Sequence, residues 1–124
     1  MDAETLADLF AAFGPVQVRR MFGGAGVYAD GLMFALAVDG VLYLKADAAF
    51  AAALAAQGSA PFTYVAKTGA RTMGSYWRVP DAALDEPDDL AVLARRARQV
   101  AGAAVLEKTA AKARRVKNVT GPAR

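Results

Sequence analysis

The chemistry open to this chain is limited by the residue types it contains. The 124-residue sequence has no histidine and no cysteine. Histidine is the commonest general base and a frequent zinc ligand near neutral pH, and cysteine provides thiolates and disulfides. Zinc enzymes, serine–histidine hydrolases, thiol catalysis and structural disulfides are therefore excluded. A site made of lysine, tyrosine, aspartate or arginine stays open, but no nucleophile–base pair is visible. We expect a non-enzymatic protein with no cofactor and no metal.

The densest group of carboxylates, residues 85–89 (Asp-Glu-Pro-Asp-Asp), is a candidate Mg²⁺ or Ca²⁺ site. Its spacing lacks the alternating ligands and the turn glycine of a calcium loop. Pro87 suits the first turn of a helix, where carboxylates complement the positive end of the helix dipole. We interpret the group as a helix start. Asp30 and Asp39 each precede a glycine, so turns explain them better than paired-carboxylate catalysis.

Residues 23–26, Gly-Gly-Ala-Gly, could hold a phosphate with backbone N–H groups. The segment matches neither the dinucleotide fingerprint nor the P-loop, so a bulge or tight strand connection is favoured. Arg19 and Arg20 could add an anion patch, although adjacent residues on a strand point to opposite faces.

Tyr76, Trp77 and Arg78 place aromatic and cationic side chains in one segment, which could contact a partner protein or a nucleic-acid base. Alternation along a strand predicts that Trp77 packs in the core while Tyr76 and Arg78 face outward.

Positive charge is concentrated near the C-terminal end. Residues 1–94 contain six basic and eleven acidic residues, a net of −5, and residues 95–124 contain nine and one, a net of +8. The basic cluster either binds nucleic acid electrostatically or keeps the chain soluble, and the sequence supports both equally. The candidate nucleic-acid contacts are Lys108, Lys112, Arg114, Arg115 and Lys117. We divide the chain into a domain of residues 1–106 and a flexible basic tail of residues 107–124.

A β-meander must position the central residues. The Asp-Gly pairs at 30–31 and 39–40 are strong hairpin signals, because a type I′ turn needs positive φ at both central residues. They separate predicted antiparallel strands near 26–29, 32–38 and 41–46.

The middle strand of this meander is apolar on both sides. Strict alternation assigns one face to Leu32, Phe34, Leu36 and Val38 and the other to Met33, Ala35 and Ala37. Because neither face is polar, something must cover each of them. We expect the methionine side to be covered by a second copy of the chain, as a homodimer, or by a long C-terminal helix. The candidate partner surface comprises Met33, Ala35, Ala37, Tyr76 and Arg78.

The remaining pattern predicts helices over about residues 3–13, 48–57 and 85–115, and strands over about 62–66 and 73–79. This order describes one α+β domain, a two-layer arrangement of an antiparallel meander sheet with packed helices. The acidic, amphipathic amino terminus differs from a secretory signal, and every apolar stretch is shorter than a membrane span. We expect a cytoplasmic protein that does not bind membranes.

Several motifs resemble the TfoX/Sxy N-terminal domain family. They are RMFGGAGVY at 20–28, DGLMFAL at 30–36, LYLK at 42–45 and YWRVP at 76–80. The resemblance covers residues 5 to about 101 and indicates a single-domain member. It implies a two-layer α+β fold similar to the type III secretion chaperones.

The resemblance also implies a role in regulating competence for DNA uptake, since the named members act with the cyclic-AMP receptor protein, a transcription regulator. We therefore expect a regulatory or adaptor domain that acts by protein–protein association. The alternative is weak, sequence-independent nucleic-acid binding through the tail.

Overall fold

The computed structural model describes residues 1–21 and 23–120, with side chains as far as residue 114. The elements are α1 (Ala3–Leu9), β1 (Gln17–Met21), β2 (Gly24–Ala29), β3 (Leu32–Val38), β4 (Val41–Lys45), α2 (Ala48–Ala56), β5 (Pro61–Ala66), β6 (Gly69–Arg78), α3 (Asp81–Leu84) and α4 (Pro87–Thr120). No helix in this described part is long and apolar enough to cross a bilayer.

The strands form one antiparallel sheet in the order β1-β2-β3-β4-β6-β5. β2, β3 and β4 are the predicted meander, and β1 extends it by one antiparallel strand. Asp30 and Gly31 have φ values of 53° and 77°, and Asp39 and Gly40 have values of 52° and 76°. Both Asp-Gly turns are therefore left-handed at their two central residues, as a type I′ hairpin requires. The predicted α+β class is confirmed.

A β-bulge between β2 and β3 changes which residues of β3 share a face. Val27 pairs with Ala35 and Tyr28 pairs with Met33, so Phe34 is an extra residue without a partner on β2. An extra residue interrupts the alternation of a strand. Phe34, Ala35 and Ala37 therefore lie in one hydrophobic cluster, while Leu36 lies in another cluster with Met33 and Val38 packed against it.

The predicted alternation across β3 was wrong at this bulge. Ala35 and Ala37 do not share a surface with Met33, because they are 0% and 4% exposed inside the helix-covered core. We call this side of the sheet the covered face.

All four helices contribute to the cluster on the covered face. Phe10, the C-cap residue of α1, meets Phe34 edge-on, with ring centroids 5.2 Å apart, and Phe50 of α2 is fully buried in the same cluster. The buried stripe of α4 consists largely of alanines, which let the helix lie close to β3. Leu90, Ala91, Ala94, Ala97 and Ala101 form this stripe.

The helix starts follow local capping rules. The carboxylates of Asp2 and Asp47 accept hydrogen bonds of 2.8 Å from the backbone N–H groups of Thr5 and Phe50. Each carboxylate thus satisfies one of the free donors at a helix start. Pro87 is the first residue of α4, in line with the interpretation of residues 85–89 as a helix start.

The C-terminal part differs in extent from the expected helix. α4 continues to Thr120 rather than ending near residue 115. Residues 107–120 of the predicted tail therefore belong to this helix, and residues 121–124 lie outside the described residues. The flexibility of the tail stays a prediction.

Candidate functional site

A second hydrophobic cluster occupies the side of the sheet opposite the covered face. Leu36, Phe62 and Tyr76 are buried in it, and four partly buried side chains pack against them. These four are Met21, Met33, Val38 and Tyr43. Every one of these seven residues belongs to a strand. We call this side the open face, and it is where the sheet offers apolar surface without a helix of the described chain in the cluster.

All four tyrosines of the chain lie on the open face. Tyr43 and Tyr76 belong to the cluster, and Tyr28 pairs in register with Met33. Tyr64 stacks on Phe62 with a centroid separation of 5.7 Å and is 42% exposed. Tyrosine suits such a position because its ring packs against apolar neighbours while its hydroxyl stays in contact with water.

Two cations of the open face lie over tyrosine rings. The guanidinium carbon of Arg19 is 5.0 Å from the centroid of Tyr28, and Nζ of Lys45 is 5.2 Å from that of Tyr76. Such contacts are worth about 0.5–1 kcal/mol at exposed sites. They hold positive charge at the edge of the apolar cluster.

Gly26 allows the side chains at the β1 end of this face to close together. A Cβ atom at this position would lie 2.8 Å from Met21 Cε, 3.0 Å from Met33 Sδ and 3.1 Å from Tyr28 Cε1. Because the first distance is shorter than real Cβ contacts and the other two are tight, a side chain at this position would displace its neighbours, and glycine leaves them where they are. The glycine-rich segment thus serves strand packing, as favoured over a phosphate cradle.

A groove of about 190 Å³ lies where α4 passes the end of the open face. Met33, Lys45 and Tyr76 of the sheet line it together with Val105 and Lys108 of the helix. Burial lowers the pKa of Lys45, and the nearby charge of Lys108 lowers it further. Burial also raises the pKa of the Tyr76 hydroxyl, with a smaller contribution from Tyr28. Lys45 and Lys108 therefore line one groove, close enough for the charge of Lys108 to act on Lys45.

A larger cavity of about 780 Å³ lies near the start of α1. Arg20 lines it, but so do Asp2 and Asp39. Arg20 and Arg19 point to opposite faces of β1, as alternation predicted, since Val18 packs in the covered core and Arg19 contacts Tyr28. The mixed charge of this cavity favours no particular ligand.

The structure brings together only part of the predicted partner surface. Met33, Tyr76 and Arg78 share the open face, because Arg78 pairs in register with Tyr43. Tyr76 is only 7% exposed, so it is a packed member of the cluster rather than an outward-facing ring. Ala35 and Ala37 belong to the covered face, as described above.

The two residues that follow Tyr76 in β6 lie in different environments. Trp77 packs against the covered core, as predicted, and its indole N–H donates a 3.0 Å hydrogen bond to the carbonyl of Gly74. Arg78 is exposed and lies 3.7 Å from the carboxylate of Asp81.

The predicted nucleic-acid contacts fall on the last part of α4. Lys108, Lys112 and Arg114 are exposed. Lys108 and Lys112 are four residues apart and share one side of the helix, whereas Arg114 projects from another side. The side chains of Arg115 and Lys117 lie outside the described residues.

Sequence reasoning missed Arg19, Lys45, Tyr43 and Phe62 as members of this surface. The alternation Tyr43-x-Lys45, in a strand next to the aromatic Tyr76 segment, was an available signal. The pairing of β4 with β6, which places Lys45 opposite Tyr76, comes only from the sheet topology.

Comparison with known families agrees with the fold. The family model described as the TfoX N-terminal domain matches residues 8–101 of the 124-residue chain. This range contains all six strands and the part of α4 that packs on the covered face. Among curated proteins, no sequence matches the chain significantly. Since the family model covers well over half of the chain, this protein belongs to the TfoX N-terminal domain family.

Proposed function

We propose that this domain is a non-enzymatic regulatory or adaptor module that associates with a protein partner through its open face. Family membership supports a place in the regulation of DNA-uptake competence. As the kind of partner we propose a transcription regulator. The observation that carries the proposal is an apolar, tyrosine-rich cluster on the side of the sheet away from the helices.

The exposed aromatic and sulfur side chains of this face suit protein association. Tyr64 and Met73 lie on the hairpin of β5 and β6, and Met73 pairs in register with Phe62. Burying an exposed apolar side chain contributes at most about 1.5–3 kcal/mol. A few such anchors commonly supply most of the energy of an interface, and tyrosine is enriched among them.

The ionisable groups on this face also favour binding over catalysis. They are the phenols, ammonium groups and guanidinium groups of Tyr, Lys and Arg, and within the described strands no carboxylate stands beside them. General acid–base catalysis needs a group that titrates near the working pH and a second group that orients it.

The test compares two neighbouring residues on opposite sides of one hairpin. Full-length protein carrying Tyr64→Ser is used for affinity capture from the native host, beside wild type and Val65→Ser, with quantitative mass spectrometry as readout. Val65 is 87% exposed and points away from the open face, so it is a matched control. We expect partners of wild type and Val65→Ser to be lost from Tyr64→Ser. Equal recovery with all three proteins would refute association through this face.

The exposed cations of α4 favour nucleic-acid binding as the second candidate function. The predicted contacts whose side chains the structure describes are Lys108, Lys112 and Arg114, near the C-terminal end of this helix. The test measures affinity for a random-sequence duplex at several salt concentrations, with wild type and K108Q/K112Q/R114Q. Three lost phosphate contacts would flatten the log–log salt dependence by about 2.7. Arg95→Gln, on an exposed part of the same helix, is the control, and an unchanged slope in the triple variant would reject this function.

A further inference from the structure

The charged side chains of the sheet are all basic, and most of them lie on one face. The six strands contain Arg19, Arg20, Lys45, Arg71 and Arg78, and no aspartate or glutamate. Four of these five lie on the open face by register or by ring contact: Arg19, Lys45, Arg71 and Arg78. Asp81 offsets the charge of Arg78 in part, through an exposed pair at 3.7 Å. Among the described side chains Arg19, Lys45 and Arg71 form no ion pair, so three uncompensated cations border the apolar cluster.

This charge argues against a second copy as the occupant of the open face. A two-fold dimer places the same patch of both copies against each other. The surface that carries Arg19, Lys45 and Arg71 would then face a surface of the same charge, with no strand carboxylate to compensate it. Like charges brought together across an interface oppose association. The complementary partner is anionic.

On the open face, the groove lined by Lys45 and Lys108 is where an anion would be stabilised most. Among the described side chains, neither lysine forms an ion pair. The lysines line one groove, in which Lys45 is partly withdrawn from water above the ring of Tyr76. A carboxylate placed between them would relieve their mutual repulsion and solvate both ammonium groups, as a charge-assisted hydrogen bond does.

The packing of the rings favours a peptide over a single-stranded nucleic acid. Such nucleic acids bind by stacking bases on free aromatic faces. Here Arg19 and Lys45 already lie over Tyr28 and Tyr76. The ring of Phe62 has Tyr43 at 4.8 Å and Tyr64 at 5.7 Å. Aliphatic side chains need no free ring face, since they pack against ring edges and the thioethers of the methionines.

We propose that the open face binds an acidic segment of the partner protein, whose apolar side chains pack on the tyrosine and methionine cluster while one carboxylate lies between Lys45 and Lys108. This inference rests on the proposed function, because it names the chemistry of the partner at the same surface.

The test uses a fluorescein-labelled 12-residue peptide of alternating glutamate and leucine, its lysine-for-glutamate counterpart, and a 12-nucleotide thymidine strand. Anisotropy is measured with full-length wild type, K45Q, K108Q and K112Q. Lys112 is one helical turn beyond the groove and is the matched control. We expect the glutamate peptide alone to bind, about fivefold more weakly in K45Q and in K108Q, and within twofold of wild type in K112Q.

Three results would overturn the inference. They are failure of the glutamate peptide to bind wild type at millimolar concentration, equal losses in K108Q and K112Q, and tighter binding of the thymidine strand than of the glutamate peptide. Partner capture with Tyr64→Ser distinguishes failure of this inference from failure of the proposed function. If capture depends on Tyr64 but is unchanged in K45Q and K108Q, association through the open face stands and the acidic segment is rejected. If capture does not depend on Tyr64, the proposed function itself fails.

Discussion

The two faces of one sheet use different residues for different purposes. The covered face packs Phe10, Phe34 and Phe50 with leucine and alanine beneath four helices. The open face uses tyrosine and methionine, bordered by arginine and lysine. The same strands supply both faces, so the difference comes from side chains alone. The tyrosines, whose rings carry a polar hydroxyl, lie on the face where water or a partner remains, whereas the largest fully buried rings of the covered face are phenylalanines.

This division separates stability from association. Truncating a side chain on the covered face leaves a cavity, because the sheet and the helices close-pack around it. An exposed side chain of the open face has little environment to lose in the free protein. Substitutions on the two faces should therefore affect different measurements.

Truncating a ring on the covered face is expected to have the largest effect. Phe34 is fully buried, with its ring against those of Phe10 and Phe13, so Phe34→Ala should lower the free energy of unfolding by about 3–5 kcal/mol. Tyr64→Ala, on the open face, should cost less than about 1 kcal/mol. Urea denaturation monitored by circular dichroism measures both. Equal losses of unfolding free energy in the two variants would mean that the open face contributes as much to stability as the covered face.

Added methyl groups probe two close approaches on the open face, where Gly24 pairs in register with Val38 and Gly26 lies beside Met21 and Met33. In Gly24→Ala the Cβ would lie 2.5 Å from the backbone oxygen of Ala37, so we expect a loss of about 1–3 kcal/mol. In Gly26→Ala the Cβ meets only the tips of flexible side chains on the open face, and the loss should be smaller. Gly74→Ala has open space around the new atom and serves as the control. Thermal unfolding gives the order, and a Gly26→Ala variant less stable than Gly24→Ala would contradict it.

The meander could be predicted because its signals are local. A type I′ turn needs two residues with positive φ, and Asp-Gly supplies them at 30–31 and 39–40 regardless of the rest of the fold. The start of α4 was equally visible, since Pro87 and the carboxylates around it suit a first helical turn. These features depend on neighbours in the chain.

Which residues lie on which face of the sheet could not be predicted in the same way. Phe34 and Ala35 are both apolar, so the pattern looks unbroken although the bulge places both on the covered face. A bulge depends on how β3 pairs with β2, and an apolar pair leaves no trace of it in the alternation. The prediction that joined Ala35 and Ala37 to Met33 failed for this reason. The meeting of Lys45 with Lys108 was also invisible, because 63 residues of chain separate them and only the path of α4 brings them together.

An ion pair between α4 and the first Asp-Gly turn provides a smaller test of how the covered face is held. Nε and Nη2 of Arg98 donate to one carboxylate oxygen of Asp30 at 2.9 and 2.6 Å. Asp30→Asn keeps a residue that tolerates positive φ and removes the charge. Asp39→Asn makes the same change in the second turn, which has no described ion pair. We expect Asp30→Asn to be the less stable of the two by about 0.2–1 kcal/mol, since the pair is largely exposed.

The salt dependence completes this comparison. Screening weakens an exposed pair, so the difference between Asp30→Asn and Asp39→Asn should shrink in 1 M NaCl, measured by chemical denaturation. A difference that persists at high salt would point to the turn geometry rather than to the charge.

The smallest expected effect is a change in the titration of Lys45. Burial and, secondly, the charge of Lys108 hold the pKa of Lys45 below its ordinary value of 10.5. Removing the second charge in K108Q should raise the pKa of Lys45, whereas K112Q should leave it unchanged. NMR titration of the lysine side chains measures the pKa in each variant. If the pKa of Lys45 is unchanged in K108Q, the two ammonium groups do not interact. Their repulsion would then give no reason for an anion to bind in the groove.

The same lowered pKa fixes the direction of a stability change with pH. The folded state releases the Lys45 proton at a lower pH than the unfolded chain does. Between these two values unfolding takes up a proton, so the contribution of Lys45 makes the free energy of unfolding rise with pH through the folded pKa towards 10.5. The Lys45→Gln variant should lack this rise, and denaturation at a series of pH values, with Lys112→Gln as control, compares the slopes. An anion held in the groove should reduce the rise in wild type, because it would favour the charged lysine in the folded state. That outcome would link the charge of the open face to the ligand it binds. The covered face has no buried ionisable group among its described residues, so it should contribute no change of stability with pH.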